Sequence, residues 1–221
     1  KHLIPNGYDL SILKVNKLQK INFKRKIKIK NKIPLIGNVA RYDPQKDHLN
    51  LLNALALIRL KNINFFCVLI GSNIDKNNID LISNIKKLKL SNHIKLLGQT
   101  DNISEVMNGL DVHVLSSRYG EGFPNVVAES MACGTPCIVT DVGDSAFVVG
   151  KTGWVVPPKN STRLAKVIEK VLNEKNTSKW NKRCNKAQLR IKKKFSISKM
   201  IKLYNDVWIK VYKINDKKIK I

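Results

Sequence analysis

Short apolar runs alternate with amphipathic stretches along most of the chain. Apolar runs of this length, bounded by glycine, proline or polar residues, are typical of buried strands. We predict strands over residues 33–40, 65–71, 94–98, 111–116 and 154–156, with a further strand directly after Pro136. Because the strands alternate with helices, the pattern predicts an α/β fold, a Rossmann-like open parallel sheet with helices on both faces.

The stretches between the strands carry helical periodicity. In the first of them, Leu49, Leu52, Ala56 and Leu60 fall on one helical face. Further helices are predicted over residues 79–90, before Gly109, and after residue 160, where apolar residues recur at i, i+3, i+4, i+7 and i+8. The candidate capping residues are Asp101, Asn102 or Ser104 for the helix before Gly109, and Asn160 or Ser161 for the helix after residue 160.

The two ends of the chain show weaker patterns. Residues 14–32 are rich in lysine with little periodicity, which predicts a surface loop or a frayed connector. Near the other end, apolar and aromatic residues fall on one helical face. A stripe of this kind is more often part of the core than a cofactor site. Its members are Ile197, Met200, Ile201, Tyr204, Val207, Trp208 and Val211. We assign residues 1–212 to one domain and residues 213–221 to a basic tail.

The most unusual feature of the composition is the net charge. At 221 residues and 43% hydrophobic, it can bury the core of one domain. Its 41 Lys and Arg against 16 Asp and Glu give a net charge of +25, which favours anionic partners such as phosphates, nucleic acids or an anionic membrane surface. Since no nucleic-acid-binding motif accompanies the charge, we favour background composition with peripheral membrane contact over specific nucleic-acid recognition.

The cysteines indicate a reducing environment. Cys67, Cys133, Cys137 and Cys184 lack the paired spacing of zinc sites, and their number is too small for a disulfide framework in a chain of this length. No signal peptide is visible, and no apolar run approaches the roughly 18 residues that a membrane-spanning helix needs. We therefore expect a cytoplasmic protein, and the start at Lys1 suggests a soluble piece of a longer one.

The stretch from Ser116 to Thr140 carries the densest candidate chemistry. Glu121 and Glu129 lie on either side of a Gly-Phe-Pro turn that opens a short helix. Pro124 suits the first helical position, and Gly134 suits the left-handed residue just past the helix end. A helix that begins after a parallel strand presents free backbone amides to an anion. The stretch therefore predicts a site for a phosphorylated ligand.

A second loop follows the first predicted strand and carries two cations. Arg41 offers a planar fork to phosphate oxygens, and Lys46 offers a compact charge. If both loops follow strands of one sheet, these cations face the same crevice as Glu121. The alternative is that Arg41 and Lys46 are ordinary surface cations among the 41 of the chain.

These residues resemble a known family. Glu121, Gly122, Phe123, Pro124 and Glu129 are similar to the E-x7-E motif of retaining group 1 glycosyltransferases with the GT-B fold, glycosyltransferase family 4. The sequence that follows, AESMACGTPCIVTDVGD, is similar to the continuation found in that family. Residues 6–9 match the N-G-x-D segment where, in that family, the chain passes from the acceptor lobe to the donor lobe. The resemblance implies a C-terminal, donor-binding lobe whose N-terminal lobe is absent.

The resemblance also implies roles for individual residues. Arg41 and Lys46 would bind the donor diphosphate, Glu121 the hydroxyls of the donor sugar, and Glu129 both ribose hydroxyls. On the structural alternative, Glu129 is a solvated helix residue and Glu121 a first-turn acid favoured by the helix dipole. We assign Arg41, Lys46 and Glu121 as catalytic. The assigned donor-binding residues are Gly37, Asn38, Gly71, Gln99, Gly122, Phe123, Pro124, Asn125, Val126 and Glu129, of which Gly71 and Gln99 would line the base pocket.

Nothing in the sequence predicts a metal or another cofactor. His48, His93 and His113 lack ligand spacing, and no D-x-D pair is present to hold a divalent cation. His113 alternates within an apolar strand and is expected to be a satisfied core histidine. We therefore expect a metal-independent donor site.

Three functions are compatible with the sequence. We expect a donor-binding domain for a UDP- or GDP-sugar, with transfer to a glycan or lipid-linked acceptor in polysaccharide or lipopolysaccharide synthesis. Alone, the fragment would bind donor but transfer little sugar. The first rival is a sugar-nucleotide epimerase or phosphorylase of GT-B fold. The second is a basic, non-enzymatic nucleic-acid-binding module.

Overall fold

The computed structural model describes residues 2–29, 33–175 and 177–219. Its strands are β1 (Leu35–Val39), β2 (Phe66–Ile70), β3 (Ile94–Leu96), β4 (Val112–Leu115), β5 (Cys137–Thr140) and β6 (Trp154–Val156). Its helices are α1 (Lys17–Lys26), α2 (His48–Leu60), α3 (Ile79–Lys87), α4 (Ile103–Gly109), α5 (Asn125–Ala132), α6 (Ser145–Val149), α7 (Ser161–Glu174), α8 (Ser178–Lys194) and α9 (Ile197–Ile219).

The six described strands form one sheet in the order β3-β2-β1-β4-β5-β6, and every neighbouring pair is parallel. The chain builds outward from β1 to β3 and then returns to place β4 on the other side of β1. In open α/β sheets, ligands bind at such a reversal, beyond the carboxyl ends of the strands. The loops that follow β1 and β4 therefore border one crevice.

Two hydrophobic clusters cover the two faces of the sheet. One contains Leu55 of α2, Leu81 of α3 and Ile168 of α7. The other contains side chains of α1, α4, α5, α6 and α8, among them Val127 and Ile191. Strands β1, β4 and β5 are buried on both faces, which explains why they read as continuous apolar runs. The predicted fold class is confirmed.

The prediction for residues 14–32 is wrong, because helix α1 occupies residues 17–26. Phe23 is buried against α4, where a side chain on Gly109 would lie 2.1 Å from the Phe23 ring. Lys24 is buried as well, and its ammonium group donates to Asp111. The buried residues of α1 are Phe23 and Lys24, and polar contacts of Gln19 and Lys20 add to them, so the sequence of this helix carries almost no apolar periodicity. Residues 30–32 lie outside the described part.

The predicted core face of α2 is only half right. Leu52 and Ala56 are buried, but Leu49 and Leu60 are 48% and 66% exposed. The buried face is formed by neighbouring positions, with Leu51, Leu52, Ala54, Leu55, Ala56 and Ile58 all buried. An apolar helix offers several possible stripes, and the packing against the sheet selects among them.

Helix ends were predicted closely. Asn102 and Asn160 cap α4 and α7 through their side chains, as two of the proposed candidates. Gly134 follows α5 with a φ of +77°, the left-handed conformation predicted for it. Pro124 was predicted at the first helical position of α5, but it is the N-cap, because Asn125 begins the helix.

The apolar stripe of α9 lies on the surface. Ile201 and Trp208 are 49% and 65% exposed, so this face is not core within the described structure. The helix continues through residue 213, where the sequence analysis placed the boundary of a basic tail. Residues 220 and 221 of that predicted tail lie outside the described part.

Two sequence predictions concern buried polar groups. All four cysteines are free, as expected of a chain without a disulfide framework. His113 is fully buried in β4, and its Nε2 accepts a hydrogen bond of 3.3 Å from the Val39 amide. Its Nδ1 has no partner among the described residues, so this core histidine is only half satisfied.

Candidate functional site

The loops after β1 and β4 are joined directly by hydrogen bonds. The Arg118 amide donates to the Gln45 carbonyl at 2.8 Å, and the Gln45 side-chain amide donates to the Gly120 carbonyl at 2.8 Å. The Ser116 hydroxyl donates to the Lys46 carbonyl at 2.9 Å. The two loops that carry the predicted cations and the predicted carboxylate therefore form one wall of the crevice.

Lys46 and Glu121 form an ion pair at the centre of this wall. Their side chains are only 14% and 6% exposed. Ser117 donates to the same carboxylate oxygen, Glu121 Oε1, at 2.5 Å. The other oxygen, Oε2, has no protein partner within the described ranges, so Glu121 keeps one acceptor for a ligand. Both residues were predicted to lie at one crevice, but their pairing was not predicted.

Arg41 is held far more loosely. Its guanidinium is 58% exposed, 3.3 Å from Asp43 Oδ2 and 3.1 Å from Gln45 Oε1. An exposed pair of this kind stabilises a protein by at most about 1 kcal/mol. The guanidinium can therefore exchange Asp43 for another anion at little cost.

The start of α5 has free hydrogen-bond donors. No side chain caps this helix, and its first turn contains no acidic residue. Asn125 is exposed, and its Oδ1 accepts hydrogen bonds from the Tyr8 hydroxyl at 2.7 Å and from Asn6 at 3.0 Å. The preceding Glu121–Gly122 segment is fixed from behind, where the Asp144 amide donates to the Gly122 carbonyl at 3.1 Å. These features make the α5 start suitable for an anion.

Gly143 allows the close packing behind the Glu121 loop. Its φ is +53°, and a Cβ at this position would lie 1.8 Å from the Glu121 carbonyl oxygen. Any side chain here would push the loop toward the crevice. Gly143 belongs to the VTDVGD segment that follows the E-x7-E motif, but no role was predicted for it.

Glu129 lies one helical turn deeper, half-buried in α5. Burial raises the pKa of its carboxyl group, and no side chain in the described ranges hydrogen-bonds it. Burial also raises the pKa of Tyr8, and the charge of Glu129 raises it further. Glu129 is therefore neither a solvated helix residue nor a paired one.

Two other predicted donor-binding residues, Gly37 and Asn38, lie within strand β1. Asn38 is buried and donates to the Val114 carbonyl at 2.8 Å, tying β1 to β4, while its Oδ1 has no partner in the described structure. Gly37 lies within β1, and a Cβ there would meet Leu110 at 2.2 Å, so packing explains this glycine.

Gly71 and Gln99 lie at the ends of β2 and β3. Gly71 has a φ of +150°, and a Cβ there would lie 2.1 Å from the Ala40 carbonyl oxygen, so it permits close approach of the β1 loop. Gln99 lines a cavity of about 260 Å³ together with Ile70, Leu97 and Thr100. The same cavity is also lined by Phe23 of α1 and Val106 of α4, and Gly71 is not among its lining residues.

Several residues of the site were not predicted from sequence. Asn6, Gln45 and Ser117 hydrogen-bond the predicted residues, and Tyr8 packs against Phe123. Across the described residues, no three His, Cys, Asp or Glu side chains lie close enough together to hold a metal ion. The same residues contain no helix with the length and apolarity needed to cross a membrane.

The sheet order and the polar crevice at its reversal define an α/β domain of Rossmann type. Residues 19–190 match the sequence model of the family described as group 1 glycosyl transferases. The chain therefore belongs to the group 1 glycosyltransferases, which confirms the resemblance found in the E-x7-E motif.

Individual proteins are similar to this chain over part of their length. EpsF of Bacillus subtilis, named as a glycosyltransferase, is 34% identical over 140 residues, which are 63% of this chain and 36% of EpsF. An enzyme of Campylobacter jejuni named N-acetylgalactosamine-N,N'-diacetylbacillosaminyl-diphospho-undecaprenol 4-alpha-N-acetylgalactosaminyltransferase is 30% identical over 178 residues, 79% of this chain and 47% of that enzyme. The chain thus spans about a third to a half of these relatives.

Solved structures share the fold. The crystal structure of Anabaena HepE in complex with UDP matches with a TM-score of 0.83 at 23% identity, covering 96% of this chain and 57% of HepE. At this identity the likeness shows a common fold, and it agrees with the GT-B lobe expected from the sequence.

Proposed function

We propose that the crevice binds a nucleotide-activated sugar and that this chain is the donor-binding part of a retaining glycosyltransferase. The observation that carries the proposal is the meeting of the two loops, where Lys46 pairs with Glu121 Oε1 and leaves Oε2 without a partner in the described structure. A UDP- or GDP-sugar has a negative diphosphate and hydroxyl donors, so its chemistry matches both loops.

The basic groups would act on the leaving diphosphate. Glycosyl transfer breaks the bond between the anomeric carbon and the diphosphate, so negative charge grows on the leaving oxygen. Fixed positive groups placed where that charge develops lower the barrier. Arg41 would exchange its exposed contact with Asp43 for phosphate oxygens, Lys46 adds a charge beside Glu121, and the amides at the start of α5 complete the set.

The carboxylates would orient the donor. Glu121 Oε2 accepts a sugar hydroxyl in a charge-assisted hydrogen bond, while Lys46 and Ser117 hold the other oxygen. Glu129 accepts ribose hydroxyls, and such bonds offset the burial that raises its pKa. The cavity beside Gln99 would take the base.

The acceptor and the setting are proposed from the relatives. The name of the Campylobacter enzyme describes transfer to a saccharide on diphospho-undecaprenol, and the HepE structure holds UDP. We infer a glycan or lipid-linked acceptor in cell-surface polysaccharide synthesis, bound by a second lobe. The +25 charge favours peripheral contact with an anionic membrane from the cytoplasmic side, and we propose a reaction without metal or cofactor.

Calorimetric titration of the chain with UDP, GDP and a panel of their sugars tests the donor site. Arg41→Ala should weaken every nucleotide, and Glu121→Ala should weaken the sugar conjugates more than the free nucleotides. Glu169→Gln is the matched control, because Glu169 of α7 forms an exposed pair with Lys61 at the end of α2, and it should change neither affinity. If neither site variant weakens the best ligand, the assignment is wrong.

A further inference from the structure

The segment Asn6–Tyr8 is wedged between the α8–α9 junction and the start of α5. The Tyr8 amide donates to the Phe195 carbonyl at 2.9 Å, and the Ile197 amide donates to the Tyr8 carbonyl at 3.0 Å. A Cβ on Gly7 would lie 2.7 Å from the Ile197 Cα, so the segment passes as close as a glycine allows. The backbone of Tyr8 is therefore fixed on both sides.

From this fixed backbone, the Tyr8 side chain reaches the start of α5. It is 7% exposed, and its ring stacks on Phe123 with 6.4 Å between centroids. Its hydroxyl lies 2.7 Å from Asn125 Oδ1, and Asn6 Nδ2 lies 3.0 Å from the same oxygen. Two side chains of one segment thus converge on a single atom of Asn125.

These contacts decide which way the Asn125 amide faces. The Tyr8 hydroxyl and the Asn6 amide both donate to Asn125 Oδ1, so this oxygen faces the Asn6–Tyr8 segment. An amide oxygen has two lone pairs, and here Asn6 and Tyr8 use both. The NH2 group of Asn125 has no partner in the described structure, and Asn125 is exposed at the first position of α5, beside the free amides of the first turn.

We propose that Asn6 and Tyr8 are positioning residues that hold the Asn125 side chain with its NH2 group toward the crevice, as a hydrogen-bond donor to phosphate oxygens of the bound nucleotide. The inference rests on the proposed function, since it names a further group for the same ligand. It makes α5 an anion site with a side-chain donor as well as backbone donors, set by residues about 120 positions away in sequence.

Asn125→Asp separates this role from a structural one. The aspartate keeps an oxygen for Asn6 and Tyr8, and a negative charge near a helix N-terminus favours the fold. The same change replaces the donor by a carboxylate that repels phosphate. We therefore expect the thermal midpoint to hold or rise while the affinity for UDP or GDP falls by about tenfold or more. A residue that only stabilises the fold would not move the two quantities in opposite directions.

The test titrates UDP and GDP into the full chain and its variants by calorimetry. Tyr8→Phe keeps the ring stacked on Phe123 but frees one lone pair of Asn125, so a loss of about threefold to tenfold is expected. Tyr204→Phe on the exposed face of α9 is the matched control and should bind as the wild type does. In nitrogen-15 spectra, the Asn125 side-chain amide should shift on adding nucleotide, and that shift should shrink in Tyr8→Phe.

The outcomes distinguish the two proposals. If the wild-type chain binds neither nucleotide, both the proposed function and this inference fail. If the wild type binds and Arg41→Ala weakens binding, but Asn125→Asp and Tyr8→Phe bind normally, the donor site stands and the positioning role is overturned.

Discussion

The two ends of strand β4 carry two different buried acid–base clusters. At the amino end, Asp111 Oδ2 accepts from the Leu35 amide at 2.9 Å and lies 3.1 Å from Lys24 and 2.8 Å from Lys175. Its Oδ1 lies 3.2 Å from Lys20. Both oxygens of this carboxylate thus have protein partners, three lysines and one backbone amide in all, and its side chain is 4% exposed.

Beyond the carboxyl end of β4, Glu121 is about as buried as Asp111, but its carboxylate has fewer hydrogen-bond partners in the described structure. Lys46 and Ser117 both bind Oε1, and the described structure offers no partner for Oε2. The comparison shows how one fold uses the same chemistry in two ways. A buried carboxylate whose two oxygens both have protein partners stabilises the fold. A buried carboxylate with one oxygen lacking a protein partner can accept a hydrogen bond from a ligand. The variants below test this distinction.

Asp111→Ala is expected to have the largest effect. Within the described residues it removes the only carboxylate that these cations contact, and it leaves Lys24 and Lys175, 5% and 11% exposed, with buried charge. Breaking a buried pair by removing one partner costs about 3–5 kcal/mol. Urea unfolding should show this loss, while nucleotide affinity of the folded protein stays unchanged. A loss below about 1 kcal/mol, the range of the exposed Glu169→Gln control, would contradict a structural role for the cluster.

Glu121→Gln should affect binding more than stability. The amide oxygen can still accept from Ser117 and Lys46, but the charged acceptor for a donor hydroxyl is lost. Hydrogen bonds to charged groups contribute about 1.5–3 kcal/mol, so affinity for the sugar nucleotide should fall about tenfold to a hundredfold. Calorimetry with the best donor and with its free nucleotide separates the sugar contact from the rest. An equal loss for both ligands would place Glu121 on the phosphates instead.

Acid should weaken the amino-end cluster in a defined range. Burial raises the pKa of Asp111, but the charges of Lys20, Lys24 and Lys175 outweigh it and hold the pKa below its ordinary value. A carboxyl group with a depressed folded-state pKa contributes stability above its unfolded pKa of about 3.9 and loses it as pH falls through the folded value. Each unit of depression corresponds to about 1.4 kcal/mol.

Urea midpoints measured between about pH 2 and pH 5 test this dependence. The wild type should lose stability across that range more steeply than Asp111→Asn, whose side chain does not titrate. Parallel curves for the two proteins would show that other carboxyl groups cause the acid sensitivity.

The sheet was predictable because each buried parallel strand is an apolar run of its own. The run predicted at 65–71 is β2 at residues 66–70, and the one at 154–156 is β6. Helix α1 was missed because its stability depends on contacts with distant parts of the chain. Phe23 needs the space at Gly109, and Lys24 needs Asp111, 87 residues away.

The site was predictable in its parts but not in their pairing. Glu121 and Lys46 were named from motif and loop position, yet their contact joins residues 75 apart and depends on the conformation of both loops. Tyr8 was overlooked for the same reason, since its partner Asn125 is 117 residues away. The roles assigned to Arg41, Lys46, Glu121 and Glu129 in donor binding stay predictions.

Lys20→Met should have the smallest effect. It tests the Asp111 cluster by removing one of its cations and keeping the carboxylate. Lys20 is the most exposed of the three lysines, at 46%, and Asp111 keeps Lys24, Lys175 and the Leu35 amide without it. Exposed pairs contribute about 0–1 kcal/mol, so the free energy of unfolding should change by no more than that. Urea titration beside Asp111→Ala measures the difference. A loss that approaches that of Asp111→Ala would mean that the cluster needs all three cations, and that its stability does not come from filling the acceptors of one carboxylate.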